Sequence, residues 1–168
     1  MHRREGYPAI WPEAPEDWVA PEREIAAWVA LAANGRLLGH VGLHRVAPGH
    51  AGWAEWCAAA DCPPERLGEL ARLFVSPAAR HTGLGTLLLE TATADARRRG
   101  LTAVLTVGGD NRAAILFYAH RGWRPVGRLD TAAPPLLFYV GPPGPAPPPR
   151  RGSRIVPSAP ALHLTDPA

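Results

Sequence analysis

The segment from Leu70 to Gly100 constrains the fold more than any other part of the chain. It opens with Leu70-Ala71-Arg72-Leu73-Phe74-Val75, an apolar run short and bulky enough to be a strand. Ser76-Pro77 ends the run, because proline removes a ladder donor and biases the residue before it away from helix. After Arg80-His81-Thr82-Gly83-Leu84-Gly85 comes a stretch free of helix breakers as far as Arg97-Arg98-Arg99-Gly100. Arginines in the last turn suit the negative end of the helix dipole, and Gly100 suits the position just beyond it. Strand, glycine-containing turn and helix N-terminus, in that order, aim free backbone N–H groups at one spot. Such a spot binds phosphate.

Three kinds of phosphate loop compete for this stretch. A Walker A loop needs a lysine, and the chain contains none. A dinucleotide fingerprint needs a third glycine three residues after Gly85, where Leu88 stands. The pattern that remains is Arg/Gln-x-x-Gly-x-Gly/Ala, filled by Arg80, Gly83 and Gly85. Taken alone, this hexapeptide also reads as a strand–helix turn without a ligand. With that pattern the stretch resembles motif A of the GNAT superfamily of N-acetyltransferases, whose members bind the pyrophosphate of acetyl-CoA on these amides. A second segment agrees. Ala103 to Val107 reads as the next strand, completing a β–α–β unit. Asn111 to Trp123 then resembles the superfamily's N-x-x-A…Y-x-x-x-G-F/W segment in place and spacing.

Composition bounds the function. The 168 residues suit one domain with a single core. The net charge of +3 sits unevenly: residues 1–140 hold 15 arginines against 14 acids, and residues 141–168 hold three arginines and Asp166. A domain this close to neutral gives no argument for a nucleic-acid partner. No run of 18 apolar residues marks a membrane span, and Met1-His2-Arg3-Arg4 leads into Glu5-Gly6 rather than an apolar leader. A cytoplasmic protein is expected. Cys57 and Cys62 are two ordinary thiols in a loop; C-x4-C with His50 lacks a second pair of ligands, so no metal is expected.

Asn34-Gly35 between Ala26–Ala33 and Arg36–Val46 predicts a hairpin. His40 and His44, four apart on its second arm, share a face, expected to be the less buried one, with contact to the acceptor as the lesser reading. Residues 47–66 form a long insertion with a short helix around Ala54 to Ala60. Trp123–Leu129 and Leu136–Val140 read as a closing antiparallel pair. Residues 141–168 are too rich in proline to pack a core and are expected to be a disordered tail, with a ligand for proline-recognition modules as a lesser reading. The domain is thus residues 1–140.

The resemblance implies an α/β fold: a mixed, mostly antiparallel sheet, splayed at its central parallel strands and flanked by helices. Relatives begin with a strand and a helix that this chain is expected to lack. It implies N-acetyltransfer from acetyl-CoA to a primary amine, a small molecule or a protein N-terminus, by direct attack in a ternary complex. The alternative is a coenzyme-binding module without turnover. The pattern is similar to that of small bacterial acetyltransferases, including those acting on ribosomal-protein N-termini; a homodimer is left open. Amides of His81, Thr82, Gly83, Leu84, Gly85 and Thr86 would hold the pyrophosphate, with Arg80 adding charge. Phe74 and Val75 would meet the pantetheine through their backbone, Val75 N–H polarising the thioester oxygen. Asn111 would bind the pantetheine arm or cap the following helix. Tyr118 matches the tyrosine that protonates the departing thiolate, a buried structural tyrosine being its other reading. Glu69 is the expected base, six residues before Val75 and so on the same face of a regular strand; His44 is the second choice.

Overall fold

The computed structural model describes residues 23–130, 134–144 and 155–157. Asn34-Gly35 sits in the hairpin joining β1 (Glu24–Leu31) to β2 (Leu37–Arg45). Gly35 takes φ 78°, the left-handed region that glycine enters without steric cost, and Asn34 Oδ1 accepts from Arg36 N at 3.2 Å. The insertion folds as α1 (Trp53–Ala60) and a 3₁₀ turn, Pro64–Arg66. Then come β3 (Leu67–Val75), α2 (Leu84–Arg98), β4 (Thr102–Gly108), α3 (Arg112–Ala119), β5 (Arg124–Leu129) and β6 (Leu136–Val140). Gly100, at φ 71°, turns the chain out of α2 as expected.

The strands form one sheet in the order β5-β6-β4-β3-β2-β1-β7, and only the β3–β4 pairing is parallel. The last strand, β7 (Ile155–Pro157), lies within the stretch expected to be a disordered tail and pairs antiparallel with Trp28–Ala30 of β1. These three residues depart from that expectation: a strand needs only a neighbour's open edge, and β1 offers one. The expected lack of an N-terminal strand and helix concerns residues 1–22, outside the described residues.

Alternation along the strands divides the interior between two faces. One face packs Val41, Leu43, Leu70 and Leu105 against Leu88, Leu89, Ala92 and Ala96 of α2. The other gathers Val46, Leu67, Val104, Phe138 and Val140 around Trp56 of α1, which is fully buried and meets Phe138 edge-on at 5.5 Å. The insertion therefore roofs the second face. Among the described residues no helix is long and apolar enough to cross a membrane.

Candidate active site

β3 and β4 pair over three residues only: Leu67 with Thr102, Gly68 with Ala103, and Glu69 with Val104. Beyond Glu69, β3 pairs with β2 and β4 with β6, so the central strands part. Glu69 stands at the fork. Ser76 N donates to Leu38 O of β2 at 2.7 Å. Since N–H groups alternate along a strand, that of Val75 turns the other way, into the gap. Leu73, two residues earlier, lies on the same edge, a feature with no signature in the sequence.

One expectation about this strand fails. His40 pairs with Phe74 but Gly42 with Ala71, so β3 carries an extra residue, and Arg72 takes φ 55°. This bulge breaks the two-residue alternation. Glu69 lies beside His44 and Val104 on the α1 side, whereas Leu73 and Val75 pack into the core under α2. Glu69 and Val75 are therefore on opposite faces.

The N-terminus of α2 opens beside the gap. Its cap, Gly83, has φ 85°, with open space where a Cβ would stand; His81 is also left-handed at φ 62°. Thr82 Oγ1 donates to Ala79 O at 2.8 Å, fixing the loop, and Arg80 and His81 lie exposed upon it. The N–H groups of Gly83, Leu84, Gly85 and Thr86 bond to no other described residue. Leu84 turns into the core. A Cβ on Gly85 would meet Val75 Cγ2 at 3.5 Å and Phe117 Cε2 at 3.6 Å, ordinary contacts at an ordinary φ. Nothing in the fold requires glycine there, although glycine weakens a helix. The space over Gly85, between Val75 and Phe117, adjoins N–H groups that have no partner among the described residues, an arrangement that suits a phosphate-bearing chain.

α3 closes the far side. Asn111 caps it, Oδ1 accepting from Ala114 N at 3.1 Å, which leaves its amide group to donate elsewhere. Tyr118 is half-buried, its ring against Phe117 at 5.3 Å, Trp123 at 5.8 Å and Tyr139 at 6.3 Å. Arg121 ties α3 to α2: Nε donates to Thr86 Oγ1 at 3.0 Å, Nη2 to the same oxygen, and Nη1 to Phe117 O at 2.8 Å. Its guanidinium lies 3.8 Å over the Phe117 ring.

At the fork the structure gathers groups far apart in sequence. Arg23 Nη1 donates to Glu69 Oε2 at 2.7 Å, His50 Nε2 lies 3.4 Å from the same oxygen, and Thr106 Oγ1 is 3.5 Å from Oε1. Arg23 and Glu69 are 46 residues apart, so no local spacing announces the pair.

His40 and His44 share a face as expected, but that face is not the less buried one. They are 6% and 0% exposed: His40 stacks on Phe74, and His44 lies against Arg72 and Glu24. Arg72 Nη1 lies 3.2 Å from His44 Nε2, which must accept, so the imidazole is neutral. Burial, then the Arg72 and Arg23 guanidiniums, push its pKa down to about 3. A ring with its lone pair engaged and so weakly basic takes no amine proton near neutral pH. Between about pH 6.5 and 3 the unfolded chain binds a proton at His44 that the folded chain refuses, so stability falls on acidification. Urea unfolding should show a lower midpoint at pH 5 than at pH 7, and His44→Gln should make that difference smaller. His40, also lowered by burial, keeps part of it. An unchanged difference in the variant would contradict the assignment.

The comparisons agree with this geometry. The model of the Acetyltransferase (GNAT) family matches residues 2–123. The chain is 33% identical over 109 residues to a mycothiol acetyltransferase of Geodermatophilus obscurus, covering 64% of this chain but only 30% of that protein. The fold is similar to that of the Escherichia coli ribosomal-protein-S18-alanine N-acetyltransferase, with a TM-score of 0.57 at 20% identity over 79% of this chain and 78% of that one. It is also similar to that of Ard1 from Thermoplasma volcanium, with a TM-score of 0.58 at 16% identity over 83% and 86% of the two chains. The family model covers well over half the chain and includes the fork, the glycine loop and the capped helix: the chain belongs to the GNAT acetyltransferase family.

Proposed function

We propose that this protein transfers the acetyl group of acetyl-CoA to a primary amine by direct attack in a ternary complex, and that residues 1–140 are its catalytic domain. Family membership implies acyl transfer from acyl-CoA; the parting of β3 and β4 at Glu69 carries the finer reading. Amides from His81 to Thr86 at the start of α2 hold the pyrophosphate, and Arg80 adds charge to the loop. The edge of β3 from Phe74 to Val75 receives the pantetheine, Val75 N–H polarises the thioester oxygen, and the Asn111 amide steadies the arm. Glu69, at the fork, takes the proton of the attacking amine. Tyr118 returns a proton to the departing sulfur.

Tyr118→Phe separates chemistry from packing. If the hydroxyl is the acid, kcat should fall about tenfold to a few hundredfold, within or just below the usual range for general acid catalysis. Acetyl-CoA affinity and melting temperature should change little, since the ring remains and one hydroxyl bond is worth about 1 kcal/mol. A structural tyrosine gives the reverse: a lower melting temperature with kcat intact. The measurement needs an acceptor, sought with acetyl-CoA against an alanine-initiated peptide, free amino acids, amino sugars and polyamines.

A further inference from the structure

Each turnover from an ammonium substrate releases one proton to water. The N–C bond forms and the C–S bond breaks with its electron pair on sulfur. Of the ammonium's three protons, one stays on the amide nitrogen, one balances the new thiol, and one must leave. A buried base therefore needs an exit, and Glu69, 5% exposed, has no broad access of its own.

We propose that His50 is that exit, a relay carrying the proton from Glu69 to solvent. The inference rests on Glu69 being the base. His50 Nε2 lies 3.4 Å from Glu69 Oε2, and its side chain is 25% exposed against 7% for that of Glu69. Its other nitrogen is fixed: Nδ1 lies 2.9 Å from Ala51 O, a carbonyl that can only accept, so Nδ1 carries a hydrogen. In the neutral ring Nε2 is then the lone-pair nitrogen, and it faces the carboxylate. Arg23 Nη1, 3.3 Å away, supplies the N–H that this lone pair accepts while Glu69 is ionised. When Glu69 gains the amine proton, Nε2 is the basic atom beside it. The imidazolium so formed keeps its Nδ1–H on Ala51 O and gives the Nε2 proton to water. The ring is held in this pose by stacking on Trp56, with centroids 5.7 Å apart and planes 23° apart. The long insertion thus brings a proton carrier to the fork as well as roofing the sheet.

The other titratable groups around the carboxylate serve less well. His44 on β2 is fully buried with its lone pair accepting from Arg72, and Glu24 on β1 sits beyond it, 3.9 Å from His44 Nε2. Arg23 and Arg72 hold charge and do not exchange it near neutral pH.

The test compares His50→Gln and Glu69→Gln with the parent, using acetyl-CoA and the panel amine acetylated fastest, in weak buffer and again with added imidazole. Glutamine at 50 can hydrogen-bond but cannot carry a proton. His50→Gln should lower kcat about tenfold in weak buffer, less than the usual contribution of general acid–base catalysis because water carries part of the transfer, and imidazole should restore most of it. KM for acetyl-CoA and the melting temperature should stay near those of the parent. Parental turnover in weak buffer, or a loss that imidazole leaves untouched, overturns the relay. If Glu69→Gln is inactive while His50→Gln turns over normally, only the relay fails. Parental turnover in Glu69→Gln removes the base and the relay together.

Discussion

Gly85→Ala is expected to make the protein more stable and a poorer binder of acetyl-CoA. The nearest atoms that a Cβ there would meet belong to Val75 and Phe117, at distances of 3.5 Å or more, and the backbone needs no positive φ. Alanine in place of a helical glycine should stabilise by up to about 1 kcal/mol, or about 2–4 °C for a chain of this size. The same methyl group occupies the space over Gly85, between Val75 and Phe117. Affinity should drop about tenfold, which is about 1.4 kcal/mol. Valine, with two further methyl groups, should weaken binding further at some cost in packing. Gly83 is a poorer position for this experiment: at φ 85° any side chain adds roughly 1–2 kcal/mol of backbone strain, so lost binding there mixes with lost stability. Calorimetric titration and thermal unfolding of Gly85→Ala read both effects. A stabler variant with undiminished affinity would remove the coenzyme from the space over Gly85.

Glu69→Gln should lower kcat by about 10²–10⁴, the contribution typical of a general base. Glutamine keeps the shape, and its carbonyl oxygen still accepts from Arg23 Nη1, so the contact that anchors the residue survives. Stability and acetyl-CoA affinity should change far less than turnover. Raising the pH should recover part of the rate, because an amine already deprotonated in solution needs no base. An ion pair that served only to hold Arg23 would show the converse, with a lower unfolding midpoint and near-parental kcat.

The elements of this fold were legible because their signals are local. Asn34-Gly35 announces a hairpin, Ser76-Pro77 stops a strand, Gly100 ends a helix, and Leu136–Val140 appears as read. Gly83, Gly85 and Asn111 stand out by their resemblance to the family's motifs; Gly83 and Asn111 cap α2 and α3, and Gly85 lies in the first turn of α2. What could not be read depends on contacts between distant residues. The bulge at Arg72 arises from the register of β3 against β2, and one inserted residue reverses the face on which Glu69 stands relative to Val75. The burial of His40 and His44 likewise depends on neighbours from β1 and β3, Glu24, Arg72 and Phe74, which alternation cannot reveal. Arg23, His50, Thr106 and Arg121 reach their partners across 46, 19, 37 and 35 residues. The three residues of β7 were hidden among prolines because an edge strand needs no core of its own.

Free thiol, followed while the protein is mixed with acetyl-CoA and each amine of the panel, distinguishes an acetyltransferase from a module that only binds the coenzyme. The predicted result is saturable thiol release that requires the amine, one thiol for each acetylated product, and its loss in Glu69→Gln. Tight calorimetric binding of acetyl-CoA, with no thiol above the protein-free rate for any amine, would contradict it.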